Sequence, residues 1–324
     1  MSLHFRRAIL FSSFPIEGKF NFSNEFQILP PDEKFPKTTF LNGHHPFILE
    51  YKFDSPEYER VNKDDPPQFA IDNEYAANKI TEITLLLSVF SENFFFYYKN
   101  KNSWFHSFNQ ENDNTIYWGQ QGYFITDFYE RIESISQIKI DDISLIEPNA
   151  HFNRIGHYVD HKLDLPSNIN YSFQAYFGLP QETQNVFLSS TSLLHQGIDL
   201  WGAHPSLSFA SIISSLEALI AYEYRLDVPE PCECCGQRNF HVAKKFRDFV
   251  KKYGSNDKEF RRFAIKIYDL RSKILHRGEL FLGETKSIPF KSIDHIYTDD
   301  MRRGIIRLSR ICLNNWLFYQ YSVA

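Results

Sequence analysis

Apolar residues recur at helical spacing over three stretches of the C-terminal half. From Gln184 to Trp201, the positions Phe187, Thr191, Leu194, Ile198 and Trp201 share one helical face. From Ser206 to Tyr224, Phe209, Ile212, Ile213, Leu216 and Ile220 repeat the pattern. A third stretch carries Phe260, Phe263, Ile267, Leu270 and Ile274, and Gly278 is placed to stop it. A short basic helix, about Phe240 to Tyr253, precedes that third stretch, and a last helix is predicted over about Asp299 to Tyr319. Four long amphipathic helices and one short one predict an all-helical bundle over residues 182–322. Pro229 and Pro231 open a cysteine-containing insert over 229–254.

The first half has another texture. Residues 1 to about 70 are rich in Pro, Asn, Phe and Asp, with short alternating pieces such as Phe47 to Phe53, and read as strands and loops. Ile80, Ile83, Leu87 and Phe90 predict a helix over Asn73 to Phe90. Phe94 to Tyr98 and Thr115 to Trp118 read as β-rich runs, and Ile138 to Phe177 as a mixture of short strands and turns. The expected class is therefore α+β: a β-rich α+β domain over 1–178, then the helical bundle.

Composition narrows the setting more than the chemistry. At 324 residues the chain can bury a sizeable core, and a hydrophobic fraction of 43% argues against general disorder. A net charge of −5 gives no global field for nucleic acid, so any basic surface must be local. Three of the four cysteines lie within Cys232 to Cys235, which argues against a disulfide framework and for a reducing compartment. The apolar piece Ala8 to Phe14 is short and ends at Pro15 without a small-residue cleavage site, so it does not read as a signal peptide. No run approaches the ~20 apolar residues of a membrane-spanning helix. A soluble, cytoplasmic protein with no membrane partner is expected.

The candidate chemistry sits in Tyr268-Asp-Leu-Arg271-Ser272-Lys-Ile-Leu-His276-Arg277-Gly278. Arg271 follows Ile267 by four residues and precedes Ile274 by three, so it lies in or beside the apolar stripe of its helix. A guanidinium there is either paired with a buried acid, Glu217 being the candidate, or faces a groove. His276 is about 140° further round the helix, in line with Ser272 and Asp269. A straight helix does not bring Arg271 and His276 together, so the last turn must distort or a second subunit must complete the site.

An Arg, four to six residues, then a His at the end of the third bundle helix resembles the motif of HEPN domains. The wording Tyr-x-x-Arg-Ser-x-x-x-His-x-Gly is similar to the Apea-like branch. Leu216-Glu217-Ala218-Leu219 in the preceding helix and Cys232-x-x-Cys235-Gly-Gln before a basic helix fit that branch too. The resemblance covers about 140 residues and does not reach the N-terminal half. It implies a homodimer that cuts RNA without a metal, with Arg271, His276 and Ser272 catalytic and Glu217, Asp269 and Tyr268 supporting them. Ser272 stands where the family often has Asn, Asp or His. The chemistry suits these residue types. An imidazole of pKa about 6.5 can take the proton of a ribose 2′-hydroxyl, and a guanidinium can hold the non-bridging oxygens of the attacked phosphate. The setting the resemblance implies is bacterial defence against phage, with the N-terminal domain sensing a phage or host trigger. The alternatives are a HEPN module that binds RNA, a nucleotide or a partner protein without cutting, and a purely structural dimerisation bundle.

Local charge agrees with an RNA partner. Residues 239–277 carry twelve Lys and Arg against four Asp and Glu, a balance of +8. Lys244, Lys245 and Arg277 belong to that stretch, and Arg303, Arg307 and Arg310 share a face of the last helix. The alternative for such a run is an ordinary solvated face. No cofactor is expected for catalysis. Cys232, Cys234, Cys235 and His241 supply part of a structural zinc site, which takes four ligands; the alternative is a knuckle with free thiols.

Overall fold

The computed structural model describes residues 1–31, 35, 45–58, 65–97, 102–108, 116–122, 128, 130–152, 162–228, 240–255, 257–281, 284 and 293–323, with the backbone alone over 102–108, 116–122 and 293–297. Its class is α+β, and the described residues pack as two units. One comprises Met1–Leu87, Asn93–Glu147 and Asn153–Leu165; the other comprises Ser88–Glu92, Pro148–Phe152 and Pro166–Ala324.

The first unit is built on a long antiparallel pair. Strand β1 (Ser2–Ser12) runs beside β4 (His45–Ser55) in unbroken register from Ser2↔Ser55 to Ser12↔His45. Short strands β2 (Phe20–Phe22) and β3 (Phe26–Leu29) extend the sheet beyond β4, and β5 (Phe95–Phe96) pairs with β1 on its other edge. Backbone pairing also joins β6 (Asn102–Phe108) to β7 (Ile116–Gly122), while β8 (Arg131–Ile132) pairs with β1. Strands β9 (Leu145–Ile146) and β10 (Leu165–Pro166) form a separate small pair.

Helix α1 (Gln68–Phe90) is fastened to β1 and β4 by polar contacts as well as packing. Arg6 donates to Asn73 Oδ1 at 2.7 Å, and the Ser55 hydroxyl donates to Asp72 Oδ1 at 2.7 Å. Leu29, Phe35 and Ile48 form a core cluster against Ile9, Phe128 and Ile140. Buried Glu50 accepts from Gln27 (2.7 Å), the Ser136 amide (2.8 Å) and the Ser136 hydroxyl (2.7 Å). A carboxylate taken out of water needs such donors, and here they tie the 130–143 segment to the sheet.

The second unit contains α2 (Pro148–Phe152), α3 (Ile169–Phe177), α4 (Gln181–Leu200), α5 (Pro205–Glu223), α6 (Val242–Tyr253), α7 (Lys258–Arg277) and α8 (Ile293–Val323). The helical unit thus reaches back to Pro166, sixteen residues before the expected start at 182, and residues 169–177 are a helix where strands and turns were expected. Ile169, Phe173, Tyr176 and Phe177 do have helical spacing; their aromatic and β-branched character disguised it. Helices α4 and α5 approach closely: a Cβ on Gly197 would lie 2.4 Å from Ile212 Cγ1 and 3.0 Å from the Ser208 carbonyl. The hydroxyls of Ser190, Ser208 and Ser211 bond to backbone carbonyls of the facing helix across this seam. Helix α8 supplies the centre, with Trp316 stacked 6.2 Å from Phe187 and Leu308, Cys312, Leu313 and Leu317 buried. By length and composition α5 could cross a membrane, although 56% of its apolar window is buried in the bundle.

Candidate functional site

The site is built on α7, whose ends are fixed locally. The Asp257 carboxylate accepts from the amides of Glu259 (2.8 Å) and Phe260 (3.1 Å), and these bonds hold it below the usual carboxylate range. At the other end Gly278 adopts φ +67°, and its amide returns to the Ile274 carbonyl at 3.2 Å. A left-handed residue there suits glycine and ends the helix one residue after Arg277. The helix stays regular through Arg277, so the last turn does not fold Arg271 and His276 together. They remain about 140° apart in angle and about 7.5 Å apart along the axis.

Arg271 reaches across to α5. Its Nη2 donates to Glu217 Oε2 at 2.7 Å, with the two side chains 18% and 20% exposed. Tyr268 also lies near Glu217, close enough for the carboxylate charge to act on its hydroxyl, and the Ser214 hydroxyl lies 3.5 Å from Oε2. Burial and then the Glu217 charge raise the Tyr268 hydroxyl above the ordinary tyrosine pKa, against the opposing charge of Arg271. The guanidinium lies 6.0 Å from the Tyr268 ring centre, and its buried Nε has no partner among the described residues. Thus the structure brings together Arg271, Glu217, Tyr268 and Ser214, the last of which sequence reasoning missed.

His276 lies apart from this cluster, exposed in the final turn. Among the described residues it makes no hydrogen bond or ion pair. Ser272 is half-buried one turn earlier, and Asp269 is exposed. Beyond the helix, the Phe281 amide donates to the Ser206 hydroxyl at 2.8 Å, and the Glu284 carboxylate accepts from the Ser206 amide at 3.0 Å. A remote carboxylate therefore satisfies an open amide in the first turn of α5, and the Phe281 ring packs edge-on to Phe209.

The basic surface is smaller than its sequence suggests. Lys244 is exposed, but Lys245 pairs with Asp227 at 3.1 Å and lies 5.2 Å from the Tyr224 ring. Arg277 is exposed with Glu279 at 3.7 Å, and Arg303 pairs with Asp300 at 2.7 Å. Arg307 is exposed. Arg310 must be removed from that face: it is 6% exposed and donates to the Glu92 carbonyl at 3.1 Å. Burial pushes its guanidinium down to about 10, against the favourable charge of Glu92. The reason is that α8 exposes only a narrow stripe through Arg303, Arg307 and Asn315, and Arg310 falls beside it with buried Leu308 and Ser309.

Cys232, Cys234 and Cys235 lie outside the described residues. His241 is exposed just before α6, with φ +46°. Among the described residues no group of three or more His, Cys, Asp or Glu could hold a metal ion. Sequence reasoning also missed Glu223, whose carboxylate accepts from Lys252 (2.6 Å), Tyr253 (2.9 Å), Trp316 (3.1 Å) and Gln320 (3.3 Å). No signal local to Glu223 announces those partners, which come from two other helices. No family model, curated protein or solved structure matches this chain.

Proposed function

We propose that the helical unit is a HEPN-type, metal-independent endoribonuclease site of the Apea-like kind, completed by a second copy of the chain. The observation that carries this reading is the placement of two side chains on one helix: an exposed His276 in the last turn of α7 and a half-buried Arg271 five residues earlier. On one chain they diverge, so two copies meeting across α7 would supply the second half of the constellation.

In this reading His276 takes the proton from a ribose 2′-hydroxyl, and that oxygen attacks the adjacent phosphorus. The bond from phosphorus to the 5′-oxygen breaks, and the 5′-oxygen takes a proton from a second His276 or from water. The products are a 2′,3′-cyclic phosphate and a 5′-hydroxyl end. Arg271 meets the negative charge that grows on the non-bridging oxygens. Exposed Lys244, Arg277, Arg303 and Arg307 would hold flanking phosphates. Growth arrest in defence against phage, under control of the sheet-bearing unit, is the biological setting that goes with this proposal.

Incubation of the full chain with single-stranded RNA should yield cyclic-phosphate ends, and H276A should lower cleavage about 10²- to 10⁴-fold with an unchanged fold. Intact RNA with the wild-type chain, or cleavage by H276A at the wild-type rate, refutes the proposal. The Arg271–Glu217 pair favours one second reading: a module that binds RNA, a nucleotide or a partner protein without cutting. Salt-sensitive RNA binding with no cyclic-phosphate product would select it.

A further inference from the structure

The Arg271–Glu217 contact leaves both partners with something to gain or to keep when they separate. Arg271 has one hydrogen bond to the carboxylate, through Nη2, while its buried Nε has no partner among the described residues. A side-on, bidentate ion pair would have satisfied both. An oxyanion that draws the guanidinium outward can take two parallel N–H bonds, removing the penalty of the orphaned Nε. Glu217, for its part, keeps the nearby Ser214 hydroxyl at 3.5 Å after Arg271 leaves. It would remain an anion held in place beside whatever oxyanion had displaced it.

Resting on the nuclease reading of this same site, we propose that Glu217 is a specificity-determining residue that the substrate displaces from Arg271 and that then favours a singly charged internal phosphodiester over a doubly charged terminal phosphate. Coulomb energies scale with charge, so Glu217 opposes a dianion twice as strongly as a monoanion at the same distance, just as Arg271 attracts it twice as strongly. Glu217 accordingly offsets the advantage that Arg271 alone would give phosphorylated ends and free phosphate over the interior of an RNA chain. Glu217 touches no reacting atom in this scheme; it acts through Arg271 and through its own field.

The test compares two competitors for a fluorescent single-stranded RNA oligomer at about pH 7.5. Uridylyl-uridine carries one internal diester, and uridine 3′-monophosphate carries a terminal phosphate with a second pKa near ~6. Binding is measured in the H276A background, where cleavage is about 10²- to 10⁴-fold slower. With Glu217 present, the dinucleotide should compete better. In E217Q the monophosphate should gain at least about fivefold more than the dinucleotide, and R271A should lose both. Equal gains, a loss of both in a folded E217Q chain, or a preference for the monophosphate with Glu217 present would each overturn the proposal. If E217Q fails to fold, E217D takes its place: the shorter side chain draws the carboxylate back from the bound anion, so the monophosphate should again gain more than the dinucleotide, and equal gains are the overturning result. Cleavage is read separately with wild type and H276A. Its absence would end the nuclease reading, while the competition still decides whether Glu217 discriminates between the two anions.

Discussion

At the C-terminal end of α5, Glu223 accepts from four donors on two other helices. Two turns or so earlier on the same helix, Glu217 meets Arg271 through one short contact and otherwise has only the Ser214 hydroxyl, at 3.5 Å, among the described residues. The first carboxylate is saturated, and its donors include the indole of fully buried Trp316. The second faces a guanidinium with an unpartnered Nε among the described residues, in side chains that water still reaches. Saturation fixes a structure, whereas incomplete pairing leaves a group able to change partners. One α-helix therefore presents a joint at one end and a candidate reactive contact nearer its middle.

The comparison breaks most directly by removing each partner. E223A strands the buried Tyr253 hydroxyl and Trp316 indole at once, and should cost about 3–5 kcal/mol in chemical denaturation. R271A should cost no more than about 2 kcal/mol while abolishing RNA binding at the site, as read by melting and by gel retardation together. If R271A destabilises as much as E223A, Arg271 is a structural joint of the same kind. G197A probes the α4–α5 seam that carries both glutamates' helix. The crowding against Ile212 and the Ser208 carbonyl should cost about 1–3 kcal/mol.

The smallest effect belongs to the sheet-bearing unit. Burial alone would raise the Asp72 carboxyl, but hydrogen bonds from Ser55 and Gln68, with the charges of His4 and Arg6, outweigh it and hold it below its ordinary 3.8. Its contribution to stability is therefore complete above pH 3.8 and fades as pH falls through the lower, folded value. Acid titration followed by circular dichroism should show D72N converging on wild type only at that acidic extreme.

Helical periodicity made α4, α5 and α7 legible, because each buries one stripe and the 3.6-residue repeat survives in the sequence. Gly278 was legible as a stop for the same local reason. Helix α8 was foreseen from Asp299 and starts at Ile293, where Ile293, Ile296 and Tyr297 alternate with Asp294, His295 and Thr298. Arg310 was misplaced because its burial depends on a partner more than two hundred residues away in the chain, the Glu92 carbonyl. The pairing of Arg271 with Glu217 was among the readings open from sequence, since both stand beside apolar stripes; Ser214 and the whole Glu223 joint were not. Hydrogen-bond partners drawn from distant helices leave no periodic trace.

The tie between Phe281 and Ser206 joins residues 75 apart in the chain, and it lies just past the helix end that bears His276. A backbone amide outside regular helix ordinarily trades its hydrogen with solvent within moments. Here deuterium uptake at Phe281 should lag well behind that of the exposed turn before it, because release requires the whole stitch at the start of α5 to open. The tail of the histidine-bearing helix would then be a guarded terminus, breathing only when its neighbour does.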